Sequence, residues 1–226
     1  MSFARLSAVP LVLALASLAT AATAPAPPDA TTPKGAMKSF YRALEIGDAL
    51  AVRSLLSASN DREKQFADAF ADFLVAARNL GLSVKGKFAA SGDALSRGLP
   101  AREEMAAVGL AEIHTDGDAA TVKLSGQAKP LKLTKSGGTW RLDVASYAGV
   151  APDAMPAQTA TFKEMAGAFN TVAHDIDGDK FASAQDAQRA LQQKLGAILF
   201  NTLQKNPPPA TAPAAVAPGA GTSSGK

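Results

Sequence analysis

The densest group of potential metal ligands in this chain is the segment Asp-Ile-Asp-Gly-Asp near the C-terminal end. Its carboxylates, Asp175, Asp177 and Asp179, match positions 1, 3 and 5 of an EF-hand calcium loop. Position 6 of such a loop needs Gly for a sharp turn but is Lys180 here, and position 12 is Asp186 instead of the longer bidentate Glu. We therefore predict a helix break with acidic residues, weak calcium binding and no bound cofactor.

Four single residues could act as acids or bases: Tyr41, Asp93, His114 and Asp143. His114 stands alone beside a predicted turn, where histidine is usually structural or exposed. Asp143 alternates with apolar residues on a predicted strand and should face solvent. Because no nucleophile, base and metal ligands are seen together, the residues favour a non-enzymatic protein.

Aromatic side chains could instead line an apolar binding pocket. Phe70 belongs to an amphipathic aromatic stripe, which most simply packs on a core. Tyr41 could point its hydroxyl into the interior, and Trp140 lies on the apolar face of a predicted strand. The candidate pocket residues are therefore Tyr41, Phe70, Trp140 and His114.

Three helices should precede the sheet. Thr32 before Pro33 is typical of a helix start, and Gly47 of a helix end. Asp48 can cap a second, shorter helix, and a third should run from near residue 60 to residue 81. Val84 and Phe88 could form one additional strand.

From residue 108 the apolar period changes to two, which indicates β-strands. An Asp116-Gly117 turn and a later Gly137-Gly138 turn separate the strands, so we predict an antiparallel meander of three strands. A helical pair should follow, interrupted at Gly178, and its second helix has a capping pattern at residues 183–186. This pair needs a partner surface, which could be the sheet, each other or a second molecule.

The chain begins like an exported protein. Arg5, an apolar run over residues 8–16 and small residues up to Ala21 are typical of a secretory signal peptide, and the run is too short to span a membrane. The absence of cysteine excludes disulfides, thiolate catalysis and cysteine metal sites. A net charge of +3 without a basic stripe argues against nucleic acid as a partner. We predict a periplasmic or secreted protein without a stable membrane anchor.

These patterns divide the chain into five segments. They are a signal peptide at 1–21, a Pro/Ala-rich linker at 22–32, an α+β domain at 33–148, a helical extension at 149–205 and a disordered Pro/Ala/Gly-rich tail at 206–226.

The stretch from Met37 to Leu56 contains an aromatic pair in a first helix, then Gly-Asp and a second helix ending in a Leu pair. Together with the strand Gly138-Thr139-Trp140-Arg141-Leu142-Asp143, it resembles the NTF2-like (cystatin-like α+β) superfamily over about residues 33–148. The resemblance implies a curved antiparallel sheet packed on N-terminal helices around an apolar pocket. That architecture serves isomerases, dehydratases and binding proteins, so it does not decide the activity.

We predict an exported, non-enzymatic binding or protein-interaction module with an apolar pocket or groove. Its partner would be an apolar small molecule or a protein, and the helical extension could form a homodimer. Two alternatives stay open. One is a periplasmic carrier of an apolar ligand such as a lipid, and the other is an isomerase or dehydratase of the NTF2-like superfamily.

Overall fold

The computed structural model describes residues 29–89, 102–125 and 129–205. The predicted signal peptide, most of the predicted linker, Asp93 and the predicted tail lie outside these residues.

Two helices begin the fold as their caps predict. Helix α1 spans Pro33–Ile46, with the Thr32 hydroxyl accepting a hydrogen bond from the Gly35 N–H at 3.0 Å. It ends at Gly47, whose φ of +77° lies in the left-handed region that glycine adopts without strain. Helix α2 spans Ala49–Ser54, and the Asp48 carboxylate caps its first turn. Both sequence predictions are confirmed.

Helix α3 spans Asp61–Phe88, so the predicted end at Gly81 and the predicted strand at Val84 and Phe88 were wrong. Gly81 is buried inside the helix, and Val84 is fully buried against a later helix. Glycine lowers helix propensity by only about 1 kcal/mol, which tertiary packing outweighs here. The helix therefore continues for almost two more turns.

An antiparallel meander follows a short helix, α4, at Arg102–Gly109. Strands β2 to β5 span Glu112–Asp116, Ala119–Lys123, Leu131–Ser136 and Thr139–Asp143. The predicted strands and turns are confirmed, with one strand more than predicted. The predicted start of the strand period at residue 108 was wrong, because Val108 is buried in α4.

A two-residue strand, β1 at Leu56–Ser57, pairs in parallel with β5, and the sheet order is β1-β5-β4-β3-β2. Within the described residues the sheet is therefore mixed, not purely antiparallel as expected. The Trp140 N–H also donates to the Ala30 carbonyl at 2.8 Å. The last residues of the predicted linker are thus attached to the edge of β5. The fold class is α+β.

Three further helices complete the fold. Helix α5 spans Val144–Ala148, α6 spans Met155–Asp177 and α7 spans Ala184–Lys205. Pro156 in the first turn of α6 and the Ser183 hydroxyl before α7, which accepts from the Asp186 N–H, agree with the predicted helix starts. In the described part of the chain, no helix combines the length and apolar character needed to cross a membrane.

The helical extension packs on α3 through helix α6. Helix α6 runs in the same direction as α3, from the contact of Phe162 with Phe66 to the hydrogen bond of Asp177 with Ser83. Helix α7 returns along α6, so that the hydroxyls of Thr161 and Thr202 lie 3.4 Å apart. The predicted helical pair therefore packs both on itself and on α3.

Buried residues form two apolar cores joined by α3. The first core lies between the inner face of the sheet, α1 and the N-terminal half of α3. The second lies between the C-terminal half of α3, α6 and α7. Phe73 packs against both cores, and Trp140 is 4% exposed in the first, as the strand pattern predicted.

A substitution in the first turn of α1 can test whether the segment before α1 packs against this helix. A Cβ added at Gly35 would lie 1.6 Å from the carbonyl oxygen of Asp29, so one of the two segments must move. We predict that Gly35→Ala lowers the free energy of unfolding by about 1–3 kcal/mol, the usual cost of overpacking. Gly86→Ala is the matched control, because a Cβ there meets nothing within 4 Å, and it should stabilise by about 0.5–1 kcal/mol. Urea unfolding of both variants measures this, and equal effects would contradict the docked segment.

Candidate functional site

Three of the four predicted pocket residues come together inside the first core. Tyr41 is 4% exposed on α1, Phe70 is 5% exposed on α3, and Trp140 lies on the inner face of β5. His114 is separate from them, because it lies exposed on β2 at the edge of the sheet. The structure therefore groups the aromatic candidates and excludes the histidine from the group.

The space around Phe70 is filled by other rings of the protein. Its ring centroid lies 5.2 Å from that of Phe162 and 5.7 Å from that of Tyr147. Phe66 and Phe73 stack on it at 6.0 and 6.3 Å. Separations of this size are typical of aromatic rings in direct packing contact. Phe70 thus belongs to a packed cluster.

Tyr41 and Trp140 are buried in the same core. The Tyr41 ring meets Phe40 edge to face at 5.6 Å, and Phe40 in turn meets Tyr147 at 5.3 Å. Trp140 packs beside Leu142 on the apolar face of β5, where both are buried. The aromatic residues therefore stabilise the junction of sheet and helices.

The sequence missed the ring of Tyr147 in this cluster. Tyr147 lies on α5, a helix of five residues that begins directly at the end of β5. Asp143 caps that helix by accepting from the Ser146 N–H, so its carboxylate has a structural role. Asp143 itself is a weak signal that could have indicated this helix start, because Asp is a preferred N-cap residue.

The three carboxylates of the acidic segment have different partners. Asp175 accepts from Lys180 Nζ at 2.7 Å, and Asp177 accepts from the Ser83 hydroxyl at 3.1 Å. Asp179 pairs with Lys87 of α3. Within the described residues, no group of three or more His, Asp or Glu side chains is placed to hold a metal ion. The segment instead connects the end of α6 to itself and to α3.

The backbone of this segment explains its sequence as a helix stop. The Lys180 N–H donates to the Asp175 carbonyl at 2.9 Å, and the Asp179 N–H donates to the Ile176 carbonyl at 3.1 Å. These two bonds form a Schellman motif, with Asp179 at its left-handed position, φ +59°. The hydrogen bond from Lys180 also holds the pKa of Asp175 below its ordinary value.

A surface depression of about 430 Å³ lies where α3 begins, beside the start of α6. It is lined by four polar residues of the α3 start and by two apolar residues of the later segment: Asn60, Asp61, Arg62, Glu63, Pro152 and Met155. Glu63 is already engaged there, because its carboxylate accepts from the Ser59 N–H and from the Asn60 amide. This depression therefore coincides with the capping region of α3.

Apolar side chains are exposed on the outside of α7. Leu199 is 54% exposed and Phe200 is 62% exposed, on the C-terminal half of the helix. Phe200 continues an i, i+4 row of exposed residues: Gln192, Gly196, Phe200 and Gln204. We call these four residues the outer row of α7. Leu199 lies beside the row.

Other exposed apolar side chains differ from this row in their surroundings. Ile46 and Leu50 lie on either side of Gly47, next to the charged residues Glu45 and Asp48. Leu82 and Leu110 lie on other elements, α3 and the turn after α4. The outer row of α7, in contrast, consists entirely of uncharged residues.

Comparison with known proteins identifies no relative of this chain. No protein-family model matches the chain, and no curated protein or solved structure matches it either. The NTF2-like relationship therefore stays a prediction that rests on the two sequence segments.

The acidic segment gives a direct test of its structural role. Calcium coordination needs six or more oxygens, and here Lys180 and Lys87 already neutralise two of the three carboxylates. We predict that titration calorimetry gives no dissociation constant at or below about 10 µM. Asp177→Ala, which removes the carboxylate bound to Ser83, should leave the calorimetric trace unchanged. Tight binding that is abolished by Asp177→Ala would contradict the helix-stop interpretation.

Proposed function

We propose that this chain is an exported, non-enzymatic protein-interaction module that binds its partner through the outer row of α7. One observation carries the proposal. The aromatic side chains that could line an internal pocket pack against one another, while Leu199 and Phe200 are left in solvent. Adjacent exposed apolar side chains can form a patch through which one protein binds another.

Export is supported by the order of charge, apolar run and small residues at the start of the sequence. A non-enzymatic role is supported by the positions of the titratable candidates. Asp143 caps a helix, His114 lies on an exposed strand edge and the acidic segment ends a helix. These groups are spread over different parts of the fold, whereas catalysis needs them within reach of one reacting atom.

Carriage of an apolar ligand is the second candidate. The NTF2-like resemblance implies an internal pocket, and the large apolar surface of α6 and α7 could enclose a chain-like ligand after a rearrangement. The ring contacts of Phe70 favour the interaction module over this carrier, because a ligand would have to displace several packed rings.

Photocrosslinking in the producing cell tests the proposed function. A benzophenone amino acid at position 200 should yield adducts with protein, because this position would lie in the interface. The matched control is the same amino acid at position 110, where Leu110 is 84% exposed on a different element and should give no adduct. Absence of protein adducts at position 200, together with stoichiometric lipid in an organic extract of the purified protein, would support the carrier instead.

A further inference from the structure

We infer that the partner of the outer row of α7 is a second copy of this chain, bound in an antiparallel, two-fold symmetric helix pair. This inference rests on the proposed function and names the occupant of the same surface. It follows from the order of residue types along the row. When a second row runs in the opposite direction, Phe200 faces Gly196 and Gln192 faces Gln204.

Shape complementarity is the first argument. In an antiparallel pair with its two-fold axis at residue 198, Phe200 of each copy lies opposite Gly196 of the other. The Gly196 position has open space, since an added Cβ would meet nothing within 4 Å. The Phe200 side chain, 62% exposed, is a large group that could fill the corresponding space on a partner helix. Each copy thus supplies one projection and one recess, as a two-fold interface requires.

Gly196, like Gly86 and Gly167, is an exposed helix-interior glycine that no contact in the described part of the chain requires. Glycine inside a helix costs about 0.5–1 kcal/mol relative to alanine. Gly196 lies in the interior of the 22-residue helix α7, is exposed, and has no neighbouring side chain that needs the space. Close approach of a second helix would use the missing side chain.

Hydrogen-bonding groups and charge also fit a second copy. The same axis places Gln192 of one copy opposite Gln204 of the other, and an amide side chain carries both donors and acceptors for such a pair. The exposed charge closest to this face, Arg189, is nine residues from the axis. At 1.5 Å per residue, the two copies of Arg189 are about 27 Å apart along the helices, well beyond the screening length of about 8 Å at physiological salt. Among the described residues on this face of α7, the pairing therefore brings no like charges together.

Sedimentation equilibrium of the purified full chain tests the inference. We expect a concentration-dependent dimer, and Phe200→Ser should weaken its dissociation constant at least about tenfold, because the central aromatic residue would be lost. Gly196→Ala should also weaken the dimer while raising the melting temperature of the monomer, since the added methyl group fills the recess but favours the helix.

Gly167→Ala is the matched control. Gly167 is exposed on α6 and has equal open space around it, so this change should raise the melting temperature without affecting the dimer. A monomer at about 100 µM chain, well above a micromolar dissociation constant, or a dimer that survives both Phe200→Ser and Gly196→Ala, would overturn the second copy as partner. Protein adducts at position 200 from a monomeric chain would leave the proposed function standing, and their absence would overturn both.

Discussion

The packing of α6 against α3 is the contact on which the rest of this structure depends. Phe162 touches Phe66, Phe70 and Phe73, so one ring from α6 closes the first core from outside. Seven residues later, Phe169 contacts Phe73 and is the first aromatic residue of α6 in the second core. Because α3 contributes to both cores, the sheet and the C-terminal helices share one continuous apolar interior.

This contact also determines where binding can take place. Interior rings that fill one another's space leave little room for a ligand unless the core opens, and a packed core resists opening. The outer face of α7 is different, because Leu199 and Phe200 are exposed there in the described part of the chain. A binding surface there requires no rearrangement of the two cores. The proposed interaction is thus compatible with a rigid body.

Local chemistry explains which elements the sequence predicted. Thr32, Asp48 and Gly47 act within a few residues of themselves, so the boundaries of α1 and α2 could be predicted. The last turns of α3 depend on Val84 packing near Ile176, which lies more than ninety residues away in the sequence. The local sequence around Val84 therefore could not predict this contact. Strand β1 has two residues and hence no alternation to detect. The aromatic candidates were placed in the interior, but whether that interior is filled depends on Phe162 and Tyr147 from later in the chain.

Thermal unfolding followed by two probes tests the shared interior most directly. Trp140, the single tryptophan, reports on the sheet, while far-UV circular dichroism reports mainly on the helices. One packed body predicts coincident transitions for both probes, and Phe162→Ala should lower both midpoints equally. Two separate transitions, or a Phe162→Ala effect confined to the helices, would contradict the account, because the extension would then be an independent unit.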